Sequence, residues 1–94
     1  MLKINSILND SAKILSNYYI KTPKLDAEIL LSSVLKKSIK EMTFDDKINI
    51  NQKQLKLYRN LVRRRKYGEP VAYILNKKEF WKYNFYVDKN VLIP

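Results

Sequence analysis

The sequence of 94 residues predicts a mainly α protein, in which a small bundle of four to five helices is followed by a β-hairpin. Three observations support this prediction. Apolar residues recur at helical spacing through about the first 75 residues, helix-capping signals separate these stretches, and the residues after about 78 are rich in Phe, Trp, Tyr and Val, which favour strands. A chain of this length can bury one modest core without disulfides or metals.

The first two helices are predicted from apolar stripes. The first runs to about Tyr18, and its stripe consists of Ile4, Ile7, Leu8, Ile14, Leu15 and Tyr18. Thr22 and Pro23 predict the N-cap and the first residue of the second helix, with Asp26 near its positive end. The stripe of the second helix is wide enough for burial on two sides, which predicts a place at the bundle centre. It consists of Ala27, Ile29, Leu30, Leu31, Val34 and Leu35.

Two capping boxes mark the starts of the third and fourth helices. Ser38 and Glu41 have the Ser-x-x-Glu spacing, and Asn51 and Gln54 form a looser version of the same motif. The third helix is expected to end near residue 44. The inner face of the fourth consists of Leu55, Tyr58, Leu61 and Val62. Gly68, the only glycine, stands where a left-handed C-cap is expected.

The chain is expected to divide at about residue 75. Residues 70–75 can form a fifth short helix with proline at its start. Strands at about 78–81 and 84–88 would then form a hairpin, which is marginal by itself. We therefore predict a helical domain at 1–75 and a hairpin linker at 76–94. The apolar end at 91–94 has the character of a cut boundary.

The composition removes most catalytic chemistry. The chain has no cysteine, no histidine and one glycine, which excludes thiolate and imidazole catalysts, the usual zinc sites and glycine-rich cofactor loops. Asp45 and Asp46 are interpreted as a solvated pair. We assign no catalytic, cofactor-binding or metal-binding residue. The longest apolar run, 71–75, is far too short to cross a membrane, so a cytoplasmic protein is expected.

The most suggestive positive feature is the run Arg63, Arg64, Arg65 and Lys66, the candidate partner-binding residues. Four cations in one helical turn attract acidic proteins or RNA. A local explanation competes with this and is favoured, because cations at a helix C-terminus are stabilised by the helix dipole. The net charge of +10 keeps nucleic acid as a less favoured partner, since the lysines are scattered along the chain.

The aromatic residues offer a second route to nucleic-acid binding, by stacking on bases. Tyr18, Tyr58 and Tyr73 fall at helical spacing within apolar stripes, whereas Trp81 and Phe85 fall within strand-like ones. We therefore expect these side chains to pack in the core.

The family resemblance comes from ordered motifs. Residues 25–31 read LDAEILL, residues 68–74 read GEPVAYI, residues 79–81 read EFW and residues 91–94 read VLIP, with Arg65, Phe85 and Val87 at matching positions. In order and spacing they resemble the N-terminal region of the release factor glutamine methyltransferases, the HemK/PrmC family. Asn76 and Lys82 depart from the resemblance, because they stand where members usually carry glycine.

The resemblance implies a function that these residues perform only in part. Family members transfer a methyl group from S-adenosylmethionine to the glutamine of the Gly-Gly-Gln motif in class I peptide-chain release factors, by means of a catalytic domain beyond the present Pro94. The resemblance therefore implies that the helical domain at 1–75 is a substrate-docking domain that binds the release factor. It also implies that the hairpin linker at 76–94 leads toward an α/β, Rossmann-like methyltransferase domain that the sequence lacks. That domain would be the second partner of this chain, which would have no cofactor of its own. Two alternatives stay open: a basic helical RNA- or ribosome-binding module, and a structural cover for the catalytic domain.

Overall fold

The computed structural model describes residues 3–45 and 47–75, and these residues form five helices. The helices are α1 (Ile4–Asn17), α2 (Pro23–Leu35), α3 (Ile39–Phe44), α4 (Gln52–Lys66) and α5 (Val71–Leu75). The prediction of a mainly α bundle is thereby confirmed. The predicted hairpin, the boundary that follows residue 75 and the two departures at Asn76 and Lys82 lie outside the described residues.

Helix α2 lies at the centre of the bundle, as its wide apolar stripe predicts. It contacts each of the other four helices. Every residue from Leu30 to Leu35 is buried, including Ser32 and Ser33. Their hydroxyls donate hydrogen bonds to the backbone carbonyls of Lys37 and Leu30, so neither polar group is buried without a partner.

Tyr58 connects α4 to this centre. Its side chain is 1% exposed, and its hydroxyl donates a hydrogen bond of 3.2 Å to the Ala27 carbonyl oxygen of α2. Burial raises the pKa of the Tyr58 hydroxyl to about 12, because the phenolate would lose its hydration in the core. The sequence prediction that Tyr58 belongs to the core is confirmed.

The helix starts follow the predicted signals. In α3 the Glu41 amide donates to Ser38 Oγ at 3.0 Å, and the Ser38 amide donates to Glu41 Oε1 at 2.9 Å. In α4 the equivalent bonds between Asn51 and Gln54 measure 2.7 and 3.0 Å. The bond from the Ser38 amide is the main cause that lowers the pKa of the Glu41 carboxyl. Both capping boxes are therefore confirmed.

Thr22 is the N-cap of α2, but its side chain acts differently from an ordinary cap. No backbone amide donates to its hydroxyl. Thr22 Oγ1 instead donates to Asp26 Oδ1 at 3.0 Å, so the threonine orients a carboxylate. Pro23 is the first helical residue, as predicted.

Three helices are followed by residues with positive φ. Gly68 has φ of 101° after α4, which confirms the predicted left-handed cap. Tyr19 and Lys36 adopt φ values of 64° and 59° after α1 and α2, although neither is glycine or asparagine. At Tyr19 the amide donates to the Ser16 carbonyl and the next amide, of Ile20, donates to Leu15, which is the Schellman pattern.

Two aromatic residues contradict the prediction of core packing. Tyr18 is 45% exposed and Tyr73 is 52% exposed. Each lies at the margin of an apolar stripe, where the neighbouring helices cover only part of the ring. Trp81 and Phe85 lie outside the described residues.

Within the part of the chain that the structure describes, no helix is long and apolar enough to cross a membrane.

Candidate partner-binding surface

The four consecutive cations at the end of α4 have different surroundings. Arg65 crosses to α2, where its Nε donates to Asp26 Oδ2 at 2.8 Å. Its Nη1 donates to the Glu69 carbonyl oxygen at 3.2 Å. Asp26 is only 5% exposed, so this ion pair joins two helices in a largely dry environment. Arg65 therefore links α4 to α2 and to the segment that follows α4.

Arg64 is also held by the protein. Its Nε donates to Glu69 Oε1 at 2.7 Å and its Nη2 donates to Glu69 Oε2, which is a two-pronged contact between guanidinium and carboxylate. The positive φ of Gly68 turns the chain so that Glu69 faces the last turn of α4. Arg64 thus ties the end of α4 to the segment that leads into α5.

Lys66 rests on two tyrosines. Its Nζ lies 4.9 Å from the ring centroid of Tyr18 and 5.2 Å from that of Tyr67. The two rings meet edge to face, with centroids 6.0 Å apart and planes at 80°. An ammonium this close to an aromatic ring is attracted by its quadrupole. Lys66 therefore links the end of α4 to the end of α1.

Arg63 is exposed and belongs to a different set of residues. Arg59, Arg63 and Lys66 follow one another at i, i+4 and i+7, which places them on one side of α4. They border a groove of about 370 Å³ between α1 and α4, which we call the α1–α4 groove. The groove is lined by Ser6, Ile7, Asp10, Ser11, Ile14, Leu55, Tyr58, Arg59, Val62, Arg63 and Lys66.

The groove combines an apolar floor with a basic edge. Ile7 and Ser11 of α1 and Leu55, Tyr58 and Val62 of α4 are buried at its base. Further lining comes from Ile14, which is 40% exposed. The carboxylate of Asp10 is the one acidic group among the lining residues. The arrangement can receive an apolar side chain and hold negative charge beside it.

The basic edge continues along the outside of α4. A shallow depression there is lined mainly by polar and basic residues, and Arg59 and Arg63 border both it and the α1–α4 groove. Helix α4 contains Lys53, Lys56, Arg59 and the run from Arg63 to Lys66, and no acidic residue. The solvent-facing side of α4 therefore carries several exposed cations and no carboxylate of its own.

The acidic side chains in the described part of the chain form no candidate metal site. Among residues 3–45 and 47–75, no three His, Cys, Asp or Glu side chains lie close enough together to hold a metal ion. Asp45 is exposed, as predicted, and its Oδ1 accepts a hydrogen bond of 3.0 Å from the Lys47 amide. Asp46 lies outside the described residues.

The structure thus divides the predicted partner-binding run. Arg64 and Arg65 face carboxylates of the protein itself, whereas Arg63 and Lys66 border the groove. Sequence reasoning missed Arg59, because it looked for consecutive cations. The signal that could have found Arg59 is its i, i+4 and i+7 spacing to Arg63 and Lys66.

Comparison with known proteins gives one consistent result. The family model of the PrmC N-terminal domain matches residues 6–75, which correspond to the helical bundle almost from end to end. No solved structure matches the chain significantly.

Several curated proteins are similar in sequence. The release factor glutamine methyltransferase of Coxiella burnetii is 51% identical over 74 residues, which cover 79% of this chain and 27% of that protein. The protein of the same name from Buchnera aphidicola subsp. Schizaphis graminum is 39% identical over 93 residues, covering 99% and 33%. The bifunctional methyltransferase of Rickettsia bellii is 37% identical over 91 residues, covering 97% and 16%. The chain therefore spans a third or less of the length of these relatives.

Proposed function

The chain belongs to the PrmC N-terminal domain family, and from this membership we propose that it serves as the substrate-docking domain of a release factor glutamine methyltransferase. Relatives carry that name at up to 51% identity. The observation that carries the proposal is the extent of the family match, because residues 6–75 contain all five helices except the first two residues of α1.

The proposed reaction of the parent protein is transfer of a methyl group to the glutamine of the Gly-Gly-Gln motif in a class I release factor. S-adenosylmethionine would supply that methyl group. The described residues do not fit this cofactor, since a nucleotide-like ligand needs several glycines whose amides can approach it. Gly68 ends a helix at φ of 101°, and the space around its missing Cβ is open. We therefore assign cofactor binding and catalysis to the remainder of the parent protein.

The contribution of this domain is binding energy that arises away from the reacting atoms. A protein substrate held at a second surface presents its target side chain in fewer orientations, which lowers the entropic cost of reaching the transition state. The positive side of α4 and the α1–α4 groove are the surfaces suited to this contact, because they combine charge with an accessible apolar floor. We propose further that residues 1–75 form the docking unit and that 76–94 connect it to the methyltransferase domain.

Isothermal titration calorimetry of the 94-residue chain with a purified class I release factor tests the proposal. We expect saturable binding with one site, weakened as the salt concentration rises because α4 is positive. Absence of binding at low salt would contradict it. A parallel titration with S-adenosylmethionine should give no heat of binding, and stoichiometric capture of that compound would refute the assignment of the cofactor to another part of the parent.

A further inference from the structure

We propose that the α1–α4 groove binds an acidic segment of the partner protein, with one apolar side chain of that segment inside the groove and its carboxylates against Arg59 and Arg63. The inference rests on the proposed function, since it takes the release factor as the protein that carries the segment. It adds the place of contact and the chemistry of the contacting segment.

The first argument is charge. The guanidinium groups of Arg59 and Arg63 lie on exposed residues one turn apart, at the border of the groove. Within the described part of the chain, neither of them forms an ion pair with a carboxylate. Arg64 and Arg65 of the same helix do form such pairs with Glu69 and Asp26. The edge of the groove therefore presents cations that an external carboxylate can meet.

The second argument is the apolar floor. Leu55 and Val62 lie at the base and are nearly covered, whereas Ile14 of α1 is 40% exposed toward the same groove. A volume of about 370 Å³ is at the small end of the range for ligand pockets and is enough for one or two large side chains. An apolar residue entering here would cover the exposed part of Ile14, and such a central anchor is typical of protein interfaces.

The same geometry disfavours RNA as the occupant. Base stacking needs open aromatic faces. Tyr58 is the aromatic residue among those that line the groove, and at 1% exposure it offers no face to a base. A protein segment with localised carboxylates and an apolar residue matches the groove better.

The test compares matched pairs of variants of the 94-residue chain, with a class I release factor as the ligand. The double variant Arg59→Glu/Arg63→Glu reverses the edge of the groove. Its control, Lys40→Glu/Lys47→Glu, makes the same change in net charge at exposed positions that do not line the groove. Ile14→Asp places a charge at the floor of the groove. Its control is Leu25→Asp on α2, which introduces the same charge at a residue of similar exposure, 48%, that does not line the groove. Circular dichroism and thermal unfolding establish that each variant is folded.

We expect the groove variants to raise Kd at least about tenfold and the controls to raise it less than about threefold. The chain has no cysteine, so a single Ser6→Cys variant can carry a photo-crosslinker at the groove alone, with Lys40→Cys as its counterpart elsewhere. Crosslinks from Ser6→Cys should map to a release-factor segment in which Asp or Glu residues flank an apolar residue.

Each alternative outcome has a distinct meaning. Binding that is equal in groove and control variants overturns the groove assignment and leaves the docking function standing. Failure of the unmodified chain to bind any release factor overturns both proposals. An oligouridine probe gives a further comparison. If it binds the unmodified chain but not Arg59→Glu/Arg63→Glu, and this variant keeps its affinity for the release factor, the groove binds RNA and not the acidic segment. Crosslinks confined to basic or purely polar segments would refute the proposed chemistry of the occupant.

Discussion

Asp26 joins α2 to α4 through its carboxylate. It accepts hydrogen bonds from Thr22 Oγ1 at 3.0 Å and from Arg65 Nε at 2.8 Å, although it is only 5% exposed. A carboxylate with so little contact with water is tolerated only when partners replace its hydration. One partner is local and the other is distant, since Thr22 stands 4 residues before Asp26 and Arg65 stands 39 residues after it.

Asp26→Asn should therefore destabilise the bundle. The amide keeps the shape of the carboxylate but removes the charge that compensates the half-buried guanidinium of Arg65. We expect a loss of about 2–3 kcal/mol in the free energy of unfolding, measured by urea denaturation. Asp10→Asn is the matched control at an exposed carboxylate, and it should change stability by less than about 0.5 kcal/mol. Equal effects of the two substitutions would show that the ion pair contributes nothing specific.

Tyr58 gives a second prediction at this scale, through its pKa of about 12 in the folded state against 10 in the unfolded state. A group whose pKa rises on folding stabilises the fold fully below the unfolded value and loses this contribution as pH rises through the folded value. Stability should fall between pH 10 and 12, by about 2–3 kcal/mol when the loss is complete. In Tyr58→Phe this part of the pH dependence should be missing, and a stability profile parallel to that of the unmodified chain would contradict the prediction.

The helix ends show which elements were predictable from sequence. Both capping boxes were predicted correctly because each one joins residues three positions apart, so the signal is local. The left-handed residue Gly68 was predictable for the same reason. The positive φ of Tyr19 was not, because tyrosine has no preference for positive φ and its residue type does not mark the turn.

Tyr19→Gly should stabilise the protein for this reason. Tyr19 is 93% exposed, so its side chain contributes little packing, whereas its φ of 64° is unfavourable for a residue with a Cβ. Glycine removes the steric cost of the positive φ, but it also gives the unfolded chain more conformational freedom. The net result should be a rise of roughly 0.5–1 kcal/mol in the free energy of unfolding. Ser16→Gly, at an exposed position within α1, should have the opposite sign. Thermal unfolding of both variants decides the matter.

The candidate surface was less predictable than the helices. Periodicity identifies the face of a helix that is apolar, but it does not say how far a neighbouring helix covers that face. Ile14 and Tyr18 therefore appeared to be core residues, although both are substantially exposed. The role of Arg65 depends on a partner on another helix, which no local pattern reveals. Arg63 and Lys66 were predicted as candidates from charge alone, whereas Arg59 becomes a candidate only through its place at the border of the α1–α4 groove.

The helical bundle is expected to fold without residues 76–94, since the core of the described residues extends to Ile74 and Leu75, both of which are buried. A chain truncated to residues 1–75 should retain helical circular dichroism and a single cooperative thermal transition. Truncation to 1–70 removes both buried residues of α5, and each is worth about 2–5 kcal/mol when lost from a core. That shorter chain should unfold without cooperativity. Loss of cooperativity already at 1–75 would place the boundary of the domain farther along the chain.

The contacts of Lys66 with Tyr18 and Tyr67 have a consequence for the entropic cost of binding. A lysine on an open surface samples many rotamers, and freezing it on contact costs up to about 2 kcal/mol of side-chain entropy. The contacts with the two rings already restrict the rotamers of Lys66 before a ligand binds. An arriving ligand consequently finds one positive group in a preset orientation, while the neighbouring guanidinium groups adjust around it.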